Sequence, residues 1–331
     1  MIFFNFLMMG TLISISSYSW FSMWMGLEIN LLSIIPLLSS TKNMYSSEAS
    51  LKYFITQALA SIILLFSIIM IMSFTEFLPQ NFNEWLIMIM NSSLLTKMGA
   101  APFHFWFPEV IEGLNWMNSL IMLTWQKIAP MILMMYSLNS LFFISMIIVI
   151  SMLISGLMGL NQLSLRKILA YSSINHIGWM LSTIFMNQSI WMNYFLIYSL
   201  TSINIIFILN FFKIFFIQQL FVNLNYNKQI KMFFSFNFLS LGGLPPFIGF
   251  LPKWLTIQAL VEKNFYLISF FMVIFTLLTL FFYLRIIFNI LTLNSSNLIL
   301  PNLKTKNFFM LWMNSMMLMS LIFSTLIFNL F

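Results

Sequence analysis

Cysteine is absent from this 331-residue chain, and charge is scarce: Asp, Glu, Lys and Arg together make up 6% of it. Without cysteine the chain holds no disulfide, no thiolate-ligated iron–sulfur cluster and no c-type haem link. No glycine-rich phosphate loop follows a strand-like run, which argues against a nucleotide site. A basic segment with a small-residue cleavage site is also missing from Met1–Gly10, so no cleaved signal peptide is expected. What is present in quantity is apolar. The chain is 61% hydrophobic with a mean hydropathy of +0.97, and it carries 40 Phe and 29 Met. Too few polar groups remain to cover a surface in water, so phospholipid is the expected solvent. The net charge of +7 does not imply a nucleic-acid partner, because most basic residues fall in short loops between apolar runs.

A helix needs about 20 apolar residues to cross the hydrocarbon core. On that measure the chain reads as an all-α polytopic membrane protein, one transmembrane domain over 1–331. Eleven spans are expected, at 2–19, 21–40, 52–74, 84–106, 117–137, 140–158, 166–187, 190–214, 230–261, 265–291 and 309–330. Loops after the even-numbered spans hold Lys42, Lys52, Arg166, Lys167, Lys228, Lys231, Lys304 and Lys306, and the opposite loops hold Lys263. Lys213 and Arg285 are set aside as span-end residues able to snorkel. The asymmetry puts the N-terminus on the positive side, matrix or cytoplasm, and the C-terminus opposite.

Two ten-residue stretches share the pattern Gly-x-x-Pro-Phe-x-x-aromatic-x-Pro, beginning at Gly99 and Gly243, 144 residues apart. Proline removes a backbone donor and clashes with the preceding turn, so each stretch should break a helix at membrane depth. The breaks fall in the fourth span of each of two five-span units, about 1–137 and about 138–291, with an extra helix at about 309–330. An odd number of spans per unit inverts one unit relative to the other. Paired interruptions in inverted repeats point to an ion pathway, and the proton is the cation expected.

Four ionisable residues fall well inside predicted spans: Glu28, Lys97, Lys127 and Lys253. Each costs roughly 2.5–3.5 kcal/mol at a helix centre, on the order of 10 kcal/mol for the four. Lysine suits proton storage, because burial disfavours its charged form where arginine would keep its proton. Glu28 with Lys97 is the candidate pair, with Lys127 and then Lys253 continuing the path through internal water. The plainer reading is a buried Glu–Lys pair that joins helices, but three buried lysines exceed one buried acid. His176 lies in the polar run Tyr171-Ser-Ser-Ile-Asn175-His176. Both a proton relay and interhelical hydrogen bonding remain open for it. His104 reads as a packing residue, and Glu48, Glu76, Glu84, Glu109 and Glu112 as loop residues. No metal site is expected.

The stretches Trp24-Met-Gly-Leu-Glu28, Lys97-Met-Gly-Ala-Ala-Pro-Phe-His-Phe-Trp-Phe-Pro-Glu109, Leu123-Thr-Trp-Gln-Lys127-Ile-Ala-Pro130, Arg166-Lys167-Ile-Leu-Ala-Tyr-Ser-Ser-Ile-Asn-His176 and Gly243-Leu-Pro-Pro-Phe-Ile-Gly-Phe-Leu-Pro-Lys253-Trp closely resemble the animal mitochondrial NADH–ubiquinone oxidoreductase chain 2 family. The resemblance runs from about residue 10 to about 290. It implies an antiporter-like subunit in the membrane arm of respiratory complex I, in the mitochondrial inner membrane, where NADH:ubiquinone electron transfer drives proton translocation. It implies that Glu28 is the acid paired with the broken-helix lysine Lys97. Lys127 is then the central lysine, and Lys253 the lysine of the second broken helix. The shortened animal form, lacking three helices of bacterial relatives, fits eleven spans. The family binds no cofactor in this chain: NADH, FMN, iron–sulfur clusters and ubiquinone belong to the wider complex, whose other membrane-arm subunits are the expected partners.

Three rivals make different predictions. A free-standing cation/proton antiporter of the same fold would transport alone in liposomes. A haem protein using His104 and His176 would show a visible spectrum. A passive scaffold would tolerate loss of the lysines.

Overall fold

The computed structural model describes residues 2–40, 43–74, 80–138, 140–224, 228–292 and 315. Those residues are helical, with no named strand among them and one isolated antiparallel bridge, Ser164 to Phe216. The chain divides into two compact units, Met1–Ser151 and Met152–Phe331.

Unit one contains α1 (Ile2–Ser16), α2 (Trp20–Leu38), α3 (Met44–Phe74), α4 (Gln80–Met98), α5 (Trp106–Gly113), α6 (Trp116–Leu123), α7 (Ile128–Tyr136) and the first half of α8 (Leu141–Leu160). The second unit holds the rest of α8, then α9 (Leu165–Ile184), α10 (Gln188–Phe212), α11 (Ile217–Leu224), α12 (Lys228–Gly242), α13 (Phe250–Glu262) and α14 (Tyr266–Thr292). Helices thus lie where the first ten spans are expected; the predicted span at 309–330 lies outside the described residues except for Ser315.

Among the described residues, six stretches are long and apolar enough to cross a membrane: Trp20–Leu38, Met44–Ser73, Trp116–Tyr136, Leu141–Leu160, Gln188–Phe212 and Tyr266–Thr292. Ile2–Ser16 is shorter. The remainder fail that composition test for visible reasons. Two are broken in the middle, and α9 is polar, carrying Ser172, Ser173, Asn175, His176, Ser182 and Thr183, all buried. Its polar groups are tolerable because protein rather than lipid surrounds them.

Span four differs from its predicted limits. The expected segment 84–106 ends at the break, but α5 carries the helix on to Gly113. The apolar run is therefore one broken helix, α4 plus α5, as α12 plus α13 is in unit two. Span five is also interrupted. A 3-10 turn at Trp125–Lys127 separates α6 from α7. Pro130 explains it: the ring clashes with the carbonyl four residues earlier, that of Gln126, and offers no N–H to it.

Helices approach closely where small residues allow it. A Cβ on Gly10 would stand 2.8 Å from the Asn30 backbone nitrogen, and one on Gly26 2.6 Å from that of Ser14. The α1 and α2 backbones therefore touch, as at small-residue crossings in membranes. That contact fixes the turn of α2 bearing Glu28 and Asn30. Buried amide side chains link neighbouring helices: Asn91 donates to the Ser137 carbonyl at 2.9 Å, and Asn175 to the Thr279 hydroxyl at 2.9 Å.

Candidate functional site

Both breaks are built alike. After Met98 the chain turns at Gly99 with φ +76°, and after Gly242 at Gly243 with φ +75°. Glycine takes this left-handed conformation without the Cβ clash that any other L-residue meets. At the first break the Ala100 amide donates to the Leu95 carbonyl at 3.1 Å and the Gly99 amide to Thr96 at 3.2 Å. At the second, Leu244 donates to Leu239 at 3.3 Å and Gly243 to Ser240 at 3.0 Å. These are paired Schellman caps, which satisfy two of the four orphan carbonyls at a helix C-terminus. The matching prolines of the two stretches, Pro102 and Pro246, each follow a cis peptide bond, Ala101–Pro102 and Pro245–Pro246.

The carbonyls left over attract a cation, which the helix dipole also favours. In unit two that cation is Lys253, in the first turn of α13. Its Nζ donates to the Gly242 carbonyl at 2.9 Å and to that of Leu241 at 3.3 Å. It also stands 5.8 Å from the Trp179 ring centroid. A Cβ on Gly243 would come 2.6 Å from the Lys253 Cδ. The glycine thus makes both the turn and the slot in which the lysine lies. In unit one Lys97 itself occupies the last turn of α4. Trp106, the first residue of α5, donates its indole N–H across the break to the Thr96 carbonyl at 3.1 Å, tying the two half-helices together.

All three predicted lysines are buried: 8% exposed for Lys97, 1% for Lys127 and 7% for Lys253. Lys127 sits at the end of the 3-10 turn, with its Nζ 5.7 Å from the ring of Phe107, a residue of α5. Glu28 is half-buried. Its Oε1 has no hydrogen-bond partner among the described residues. Glu28 acts on Lys97 electrostatically, yet no direct ion pair joins them. Ion pairs do form elsewhere, Lys52 with Glu48 at 2.9 Å and with Glu109 at 3.0 Å, all three side chains substantially exposed.

Lys97 reaches a small cavity, which Tyr53, Gln57, Asn30, Gln126 and Pro130 also line. Its polar side chains supply the partners an internal water needs, in a space about the size of one water. A second small cavity lies wholly in unit two. His176, Tyr194, Tyr198, Ser240, Leu241 and Pro252 line it, so it reaches from α9 and α10 to the second break. The His176 Nδ1 is 2.9 Å from the Tyr194 hydroxyl, and its ring lies 4.9 Å from that of Tyr198. His104 is buried within the first break, its Nδ1 3.3 Å from the Pro102 carbonyl.

Sequence reasoning missed several of these residues. Asn30 and Gln126 each adjoin a predicted charge, and that adjacency was the available signal. Tyr194 and Tyr198, four apart on one face of α10, gave none that pointed to His176. Lys231, counted above as a loop residue, is 8% exposed and lies in the first turn of α12. Lys263 holds the C-terminal carbonyls of α9, donating to Phe185 at 2.9 Å and Met186 at 3.1 Å.

Residues 17–279 match the family described as NADH:quinone oxidoreductase/Mrp antiporter, transmembrane. The chain is 55% identical over 297 residues to NADH-ubiquinone oxidoreductase chain 2 of Anopheles gambiae, covering 88% of this chain and 86% of that one. It is 53% identical over 332 residues to the protein of the same name in Aedes aegypti, covering 99% and 97%. A chain in the structure of respiratory complex I from Thermus thermophilus with bound aureothin superimposes with a TM-score of 0.86, at 21% identity, over 97% of this chain and 77% of that one, a likeness of fold. By matched length and by identity alike, this chain belongs to the NADH:quinone oxidoreductase/Mrp antiporter transmembrane family, among relatives named NADH-ubiquinone oxidoreductase chain 2.

Proposed function

We propose that this chain is a core membrane-arm subunit of respiratory complex I, in the mitochondrial inner membrane, and that it carries out proton translocation driven by NADH:ubiquinone electron transfer. One observation carries the reading beyond family membership: three lysines are buried at, or one turn from, a helix interruption. Buried lysines cost several kcal/mol that an apolar residue would save. Interruptions expose backbone carbonyls and water at depth, the two things a proton needs in a lipid-solvated protein.

The proton path runs through Glu28, Lys97, Lys127 and Lys253, with His176 as a relay. In unit one the Glu28 carboxylate biases the charge on Lys97 through space, and the cavity beside Lys97 offers water toward the Lys127 turn. In unit two the cavity joins His176 and Tyr194 to the carbonyl end of α12, where Lys253 is held. A lysine bonded to carbonyls is stabilised as the ammonium, and release from them favours loss of its proton. Motion of a half-helix at a break is thus a means of converting conformational energy into proton transfer.

Eleven crossings, two inverted five-helix repeats and a peripheral C-terminal helix complete the architecture, with the N-terminus in the matrix and the C-terminus in the intermembrane space. The matching caps at Gly99 and Gly243 support the repeat. Redox chemistry belongs to other subunits: NADH, FMN, iron–sulfur clusters and ubiquinone bind there, and this chain's partners are neighbouring membrane-arm subunits, phospholipid, protons and internal water.

A free-standing cation/proton antiporter of the same fold is the competing reading. Purified chain alone in liposomes is expected to dissipate neither an imposed sodium nor an imposed pH gradient, while the intact complex in the same lipid acidifies its lumen on NADH addition. Cation/proton exchange by the isolated chain would establish the antiporter instead.

A further inference from the structure

Two residues outside the charged set meet beside it. The Asn30 side chain donates to the Gln126 Oε1 at 3.1 Å, and the Gln126 side chain donates back to the Asn30 Oδ1 at 2.9 Å. Turning both amides over would leave the same two bonds, so the pairing does not depend on which atom is nitrogen. Asn30 is two residues past Glu28 on α2; Gln126 immediately precedes Lys127 in the 3-10 turn. Both line the cavity reached by Lys97. Lys127 does not line that cavity, although its neighbours Gln126 and Pro130 do.

We propose that Asn30 and Gln126 are positioning residues of the proton path, joined as an amide clasp that holds the Lys127 turn and closes the Lys97 cavity on that side. The proposal rests on the proton-path reading given above. Three features fit the role. Pro130 removes one backbone hydrogen bond from the turn, and the clasp anchors that turn through the residue before Lys127. Both partners are neutral, so the clasp persists whichever of the flanking lysines carries a proton. Neutral amide bonds are also weaker than ionic ones, and this one can open within a turnover. Opening frees Gln126 and extends the water-accessible space toward Lys127; closure separates the two lysines again.

The test uses inner-membrane vesicles carrying the intact complex and reads protons translocated per NADH oxidised, for complexes matched by content of assembled enzyme. Asn30→Leu keeps the size but removes both bonds and leaves Gln126 unpaired, and the proton flux through this chain is expected to fall roughly tenfold, the rate equivalent of a buried polar group left without its partner. Asn30→Asp is isosteric and makes the clasp titratable. The protonated acid retains both bonds and the carboxylate only one, so proton yield should be near normal at acid pH and fall as pH rises, beyond any slope of the parent complex. That profile decides the matter if the leucine variant does not assemble. Parental yield for assembled Asn30→Leu, or a parental pH profile for Asn30→Asp, would overturn the clasp. Lys127→Met measured alongside separates the two failures. If it too is normal, the proton path itself is wrong; if it is impaired while both Asn30 variants are normal, only the clasp is.

Discussion

Methionine in place of Lys127 leaves a complex that assembles at the parental level but translocates fewer protons per NADH, the flux through this chain falling on the order of 10²-fold, the lower end of what a positioned proton-transfer group contributes. The two halves of that expectation rest on different physics. Lys127 is 1% exposed, and its ammonium lies over the Phe107 ring at 5.7 Å. Methionine has similar length, packs against an aromatic edge, and avoids the roughly 2.5–3.5 kcal/mol cost of a charge at membrane depth. Architecture alone would therefore favour the variant. Transport would not, because methionine has no proton to pass on. Quantifying assembled complex by native gel and proton yield by a pH-sensitive dye in the same vesicles reads both halves. A scaffold role predicts unchanged yield.

The second large effect comes from a residue with no charge. Gly243→Ala meets two penalties at once. A non-glycine residue in the left-handed region costs about 1–2 kcal/mol. The added Cβ would also stand 2.6 Å from the Lys253 Cδ and 2.9 Å from its Nζ. A free lysine side chain would swing aside cheaply, but this one is held by the carbonyls of Leu241 and Gly242. Making room for the methyl breaks bonds of the charge-assisted kind, worth roughly 1.5–3 kcal/mol. The expected result is a thermal midpoint lowered by several degrees in detergent and a proton yield matching that of a Lys253→Met complex. Gly99→Ala is the internal control. It carries the same backbone strain, but its Cβ would meet Phe107 at 3.1 Å rather than a lysine. Stability should fall in both variants, and proton yield should fall further for Gly243→Ala. Equal losses would mean that Lys253 need not sit on those carbonyls.

The breaks were legible because helix termination is local chemistry. Glycine at the left-handed cap and proline three residues on cannot continue a helix, whatever surrounds them. Burial of the lysines was legible for a related reason: Lys97, Lys127 and Lys253 each stand in a run too apolar to be a loop. The 3-10 turn at Trp125–Lys127 was equally local, since Pro130 announces it, yet an uninterrupted apolar span drew the eye past it. Contacts were another matter. Whether Glu28 touches Lys97 depends on side-chain reach across helices, which spacing along the chain does not encode; no direct ion pair joins them in this structure. The same limit hid the Asn30–Gln126 bonds, 96 residues apart, and the Tyr194 hydroxyl on His176. Lys231 shows the opposite error, where a residue near a predicted span end was assigned to solvent and is buried.

The central claim is that the buried lysine of the first broken helix lies on the path coupling electron transfer to proton movement. Lys97→Ala in coupled membranes, with the complex confirmed intact, tests it most directly when NADH oxidation and proton translocation are recorded together. Loss of both activities, or of proton translocation alone, is the predicted result. Parental NADH oxidation with the parental proton yield would make Lys97 and its broken helix architectural and contradict the mechanism.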